Sequence, residues 1–156
     1  RYAISKLGLA KRVASLTTIG TPHRGTPLAD GSASLLRRSG SLVKWVKRAR
    51  FDGIFDITTQ QLEVFNRDVP DAPGVRYFSY VGSVERASGR TGILASAGLW
   101  LLSSSSDGLV PAESQRWGEV AGVIAADHWA QIGWSPGYDA GALYENIARE
   151  LALRGL

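Results

Sequence analysis

Three short runs rich in β-branched and aromatic residues constrain this chain more than anything else in it. They are residues 13–19 (VASLTTI), 75–82 (VRYFSYVG) and 120–125 (VAGVIA). Each is bounded by glycine, proline or small polar residues, the pattern of a short buried strand. Helix-patterned segments separate them. One covers residues 2–11, with Gly8 placed to cap it, directly ahead of the first strand. Another opens at Thr58 and Thr59 and runs through Leu62, Val64, Phe65 and Arg67. The last spans residues 140–153, where Leu143, Ile147 and Leu151 fall on one face. Helices alternating with apolar strands predict an α/β fold with a mostly parallel sheet.

The chain has 156 residues, 44% of them hydrophobic and 21% charged, which leaves room for one domain with a core of its own. Neither an internal repeat nor a linker marks a second domain, so residues 1–156 read as one domain with a helical insertion at about 27–68. No apolar run approaches the roughly 18 residues that cross a membrane, and the best candidate, residues 93–102, is about half that. Cysteine is absent, which removes disulfides and thiolate metal sites. The net charge of +4 is unevenly spread, with Arg37, Arg38, Lys44, Lys47, Arg48 and Arg50 crowded together. Two readings of that segment stand: a solvated helix face, or a surface for anionic lipid. Neither a nucleic-acid-binding motif nor a phosphate-binding glycine loop accompanies it. Leu35, Leu36, Leu42, Val43, Trp45 and Val46 fall mostly on one side of the insertion, and Ser39-Gly40-Ser41 divides it into two short helices. Residues 51–56 read as a linker.

The chemistry narrows to loops at strand ends, where open α/β sheets bind their ligands. There are two histidines. His23 lies in Gly20-Thr21-Pro22-His23-Arg24-Gly25-Thr26, which is either a ligand loop or a turn whose His and Arg serve the backbone. His128 follows the third strand, about twenty residues after Asp107 on a Ser106-Asp107-Gly108 turn. A carboxylate that orients an imidazole is two thirds of a nucleophilic triad. The order acid then histidine, after successive late strands, is that of a serine hydrolase sheet. Asp127 is the rival acid, but side chains adjacent in sequence usually diverge. No G-x-S-x-G elbow occurs. Ser96 in Leu94-Ala95-Ser96-Ala97-Gly98 imitates one imperfectly and lies between acid and base, in the wrong order. The remaining candidates to touch substrate are Leu42, Trp45 and Val46 on the insertion and Trp129 beside His128.

Four stretches together resemble bacterial triacylglycerol lipases of the Pseudomonas/Burkholderia type across nearly the whole chain. They are Arg1-Tyr2-Ala3-Ile4-Ser5-Lys6-Leu7-Gly8, residues 16–26 with TPHRG, residues 106–111 and residues 127–133. The resemblance implies the C-terminal portion of an α/β-hydrolase fold with an inserted helical lid. It implies hydrolysis of lipid carboxylic esters at an interface, with Asp107 as acid and His128 as base. By the same resemblance the serine and oxyanion donors lie upstream of Arg1, in an N-terminal half that the chain needs as partner. The chain alone is then expected to be inactive. Secretion is implied too, although the composition fits the cytoplasm equally. The family commonly holds calcium through an Asp two residues after the histidine; here that position is Ala130, and Gln131 does not replace a carboxylate, so no metal or other cofactor is expected. Other serine acyl hydrolases or acyltransferases (polyester depolymerases, thioesterases) would use the same triad. A non-catalytic membrane-surface module built on the basic segment is the third expectation.

Overall fold

The computed structural model describes residues 1–38, 53–84, 102, 105–135 and 137–156. Leu42, Trp45, Val46 and Ser96, and with them the divided second half of the insertion, lie outside the described residues.

Among the described residues three strands form one parallel sheet in the order β1-β2-β3. They are β1 (Ser15–Ile19), β2 (Arg76–Gly82) and β3 (Glu119–Ile124). All three fall where the β-branched runs predict, within two residues at either end. The helices are α1 (Tyr2–Lys6), α2 (Pro27–Arg38), α3 (Gly53–Asp56), α4 (Thr59–Asp68), α5 (Ala112–Gln115) and α6 (Ala140–Leu153). Among the described residues no helix is long and apolar enough to cross a membrane.

The sequence explains most of these boundaries. Gly8 adopts φ 76°, a left-handed conformation cheap only for glycine, and α1 ends there. A tighter turn over Leu9–Arg12 follows, so the expected single helix is two pieces. Pro27 opens α2, where its missing N–H costs nothing. Thr58 caps α4 by accepting from Gln61 N, and Asp139 caps α6 by accepting from Ala142 N. Residues 53–56, expected as part of a linker, form helix α3 instead. Glycine at its first position carries no helical signal, and packing against α2 and α4 supplies the missing preference.

The central strand β2 is buried from Tyr77 to Gly82, as a strand covered on both faces must be. Alternation sends Tyr77 to one side, against Ile4 and Val75, with Val13, Leu16 and Trp117 packed around them. Tyr80 goes to the other side, against Ile124, Ala126, Ala130 and Ile147 of α6. Two small cores therefore clamp the sheet, the Tyr77 core toward the amino ends of β1 and β2 and the Tyr80 core at the carboxyl ends that carry the polar loops.

Candidate active site

The loop after residue 105 and the turn after β3 meet at the carboxyl ends of the strands. Asp107 is fully buried, and a buried carboxylate is tolerable only when its lone pairs are engaged. Its Oδ1 accepts from Leu109 N at 3.0 Å and Val110 N at 2.8 Å, the local turn that an Asp before Gly favours. Gly108 supplies the required positive φ of 94°. Oδ2 lies 2.7 Å from His128 Nδ1 and also accepts from Gln131 Nε2 at 3.3 Å. The backbone reinforces the pair, because His128 N donates to Asp107 O at 2.9 Å.

His128 is partly open, its side chain 30% exposed. The hydrogen bond to Asp107 raises its pKa above the ordinary 6.5; burial opposes this, and the charges of Asp107 and Asp127 add to it. With Nδ1 facing a carboxylate, the proton of the neutral ring belongs on Nδ1. Nε2 is then the basic nitrogen. Trp129 meets the His128 ring edge-on at 6.2 Å and stacks flat on Trp134 at 5.2 Å. Trp134 is 71% exposed, so the surface beside the histidine is aromatic.

Asp127 does different work. It is fully buried, and its Oδ1 accepts from Ala130 N at 2.7 Å and from Ser135 Oγ at 3.1 Å. It shapes the turn that carries His128. Ala130, at the calcium position of the resemblance, buries a methyl group in the core.

The other histidine loop is structural. His23 is 4% exposed and lies 3.0 Å from Thr18 Oγ1, with its ring against Trp117. Burial, then the charges of Arg1 and Arg24, push its pKa down to about 4. Arg24 donates to Glu113 O and Arg116 O at 2.9 and 2.6 Å, serving the backbone around α5. Thr26 Oγ1 donates to Leu109 O at 2.6 Å, and Ser114 Oγ donates to Gly25 O at 2.5 Å. This loop thus braces the one that holds Asp107. Gly25 is needed for the approach, since a Cβ there would sit 2.6 Å from Thr59 N.

Two glutamines complete the site. Gln115 Oε1 accepts from Gly82 N at 2.6 Å and its Nε2 donates to Gly82 O at 3.0 Å and Val110 O at 2.9 Å. It ties the end of β2 to the Asp107 loop. Gln131 reaches the acid itself. For Gln131 the sequence signal is indirect, glycine at the ends of β1 and β2 where its amide has to fit, and Gln115 has none.

No family model matches the sequence. The chain is 32% identical over 139 residues to triacylglycerol lipase 2 of Saccharomyces cerevisiae, covering 78% of this chain and 38% of the yeast protein. Among solved structures it resembles the Staphylococcus hyicus lipase, with TM-score 0.67 and 17% identity over 89% of this chain and 56% of that one. It also resembles a metagenomic carboxyl esterase, with TM-score 0.65 and 22% identity over 81% of this chain and 40% of that one. The chain therefore spans well under two thirds of the length of the proteins it matches.

Proposed function

From a chain related in sequence to a triacylglycerol lipase, and folded like the lipase and esterase α/β-hydrolases, we propose a serine carboxylic-ester hydrolase acting on lipid esters. Asp107 is its acid and His128 its base. The observation that carries the reading is the 2.7 Å contact between His128 Nδ1 and a buried carboxylate whose other oxygen is fully engaged.

The geometry suits the chemistry. A serine hydroxyl is a poor nucleophile near neutral pH and needs a base. His128 Nε2 takes the serine proton as the oxygen attacks the ester carbonyl carbon, then delivers it to the departing alkoxide. The ring next takes a proton from the water that attacks the acyl-enzyme, and returns it to the serine as the carboxylic acid leaves. Asp107 keeps the ring in the tautomer this needs and stabilises the imidazolium. The serine and the oxyanion donors come from chain outside these 156 residues, and residues 1–156 alone are inactive in this reading. The Trp129–Trp134 stack beside His128, whose outer ring Trp134 is exposed, supports an acyl chain or a lipid surface as neighbour.

The reaction proposed here uses no calcium at the histidine turn. Ala130 brings a methyl group where a ligand oxygen is needed, and the donor end of Gln131 faces Asp107 and Ala126 O. A chelator is expected to leave the rate of the full-length protein unchanged, and a loss restored by added calcium would contradict this.

The test is ester hydrolysis by the full-length protein across a series of nitrophenyl esters, with and without an oil–water interface. His128→Ala is expected to abolish turnover on every ester. A preference for long acyl chains that strengthens at the interface fits a lipase. A short-chain optimum without interfacial gain would move the reading to the wider class of serine esterases.

A further inference from the structure

Gln131 has no task in the reaction as written, yet it is among the most confined side chains described. It is 2% exposed. Burying a primary amide is costly unless its polar atoms are matched. Its Nε2 lies 3.3 Å from Asp107 Oδ2 and 3.3 Å from Ala126 O. Both neighbours are acceptors, so that end of the amide must be the donor.

The acceptor on Asp107 is the oxygen that also receives His128 Nδ1. Oδ1 is held by two backbone N–H groups, Oδ2 by one ring and one amide. Without the amide, His128 alone among the described residues would fix the Oδ2 side of the carboxylate, and the ring is the group the carboxylate has to orient.

The fold reserves space for this amide. A Cβ at Gly20, just past β1, would sit 2.2 Å from Gln131 Oε1, and one at Gly82, the last residue of β2, would overlap Nε2. Neither distance is tolerable, so a side chain at either glycine would push the amide of Gln131 out of this position. Gly82 cannot retreat, because Gln115 holds both its N–H and its carbonyl. Two strand ends and a second glutamine therefore form a seat whose occupant points at the acid.

We propose that Gln131 is a positioning residue, which holds the Asp107 carboxylate in the orientation that aligns His128. The proposal deepens the ester-hydrolase reading and rests on it. In the full-length protein, Gln131→Leu is expected to lower kcat on the order of 10- to 100-fold with KM unchanged, as small misplacements at a reacting group do. Gln131→Glu keeps the size of the side chain and, buried against Oδ2, is expected to hold a proton, because two carboxylates in contact do not both ionise; its hydroxyl then donates to Asp107 in place of the amide. That variant is therefore expected to keep most of the kcat that Gln131→Leu loses.

A residue that merely filled the seat would, when replaced, lower the melting temperature and leave the kcat of the folded protein in place. A folded Gln131→Leu with the wild-type kcat overturns the proposal. Should that variant not fold, the similarly sized Gln131→Met decides, and a folded Gln131→Met with the wild-type kcat overturns it. The parent reading fails separately, if Asp107→Asn retains full activity. A large loss in Asp107→Asn with none in Gln131→Leu removes only the role given to Gln131.

Discussion

Two histidines sit on loops at the carboxyl ends of β1 and β3, the strands on either side of β2, and their surroundings are opposite. His23 is sealed between Thr18 and Trp117, faces a neutral hydroxyl, and has the cations Arg1 and Arg24 nearby. His128 is partly open, faces a buried carboxylate, and has a second one nearby. The first is driven neutral and the second is primed to accept a proton. A strand-end position attracts attention to both, but the charge of the hydrogen-bond partner separates brace from base. The two loops remain coupled, because Thr26 on one holds Leu109 on the other.

The largest expected effect lies on the His128 side. In the full-length protein Asp107→Asn is expected to cost on the order of 10⁴ in kcat, by analogy with serine proteases, because the amide selects the wrong tautomer. Steady-state kinetics on a nitrophenyl ester check this. The corresponding change on the other loop, His23→Phe, should leave kcat within a few-fold. Equal losses from both would erase the distinction between the loops.

Acid should separate the histidines next, with opposite signs. The folded pKa of His23, about 4, lies below its ordinary 6.5, so protonation favours the unfolded chain. Its contribution is complete above pH 6.5 and is lost as pH falls toward 4, on the order of 3 kcal/mol in all. The folded pKa of His128 lies above 6.5, so its contribution is complete below 6.5 and is lost as pH rises through the folded value. Urea unfolding of wild type and His23→Phe at pH 7 and pH 4 is the check. The variant should be the less stable at pH 7, by about 1 kcal/mol for the lost hydrogen bond. At pH 4 that gap should close or reverse. A gap of constant size across the range would mean that His23 ionises freely in the folded chain.

The smallest effect concerns the tether. Thr26→Val removes the donor to Leu109 O and should cost about 1 kcal/mol in denaturant unfolding. Unchanged stability would mean that the loops are braced independently, with Ser114 and Arg24 sufficient on their own side.

Much of this arrangement was legible in the sequence for local reasons. The strands announce themselves because β-branched runs end at Gly20, Gly82 and the polar residues around 126–128. Helix α6 matches its apolar spacing from Ala140 to Leu153, with Asp139 as its cap. Asp107 was legible because an Asp-Gly turn has its own hydrogen-bond logic, and His128 because it follows a strand at the same sheet edge. Contacts between residues far apart in sequence were not legible. Gln115 and Gln131 look like surface residues until the sheet brings the Gly82 backbone to Gln115 and both Gly20 and Gly82 against Gln131. The TPHRG loop displays a His and an Arg as a ligand site would, and only packing against Trp117 and α5 reveals a brace. Helix α3 escaped because its preference comes from its neighbours rather than its four residues.

The central claim is that Asp107 makes His128, and not His23, the proton acceptor of this molecule. Titrating both imidazoles by ¹⁵N NMR in the full-length protein tests it most directly. The structure predicts two separate transitions, one near 4 for His23 and one above 6.5 for His128. It also predicts that Asp107→Asn lowers only the second. Two histidines titrating together near 6.5, or a His128 transition indifferent to Asp107→Asn, would contradict the account.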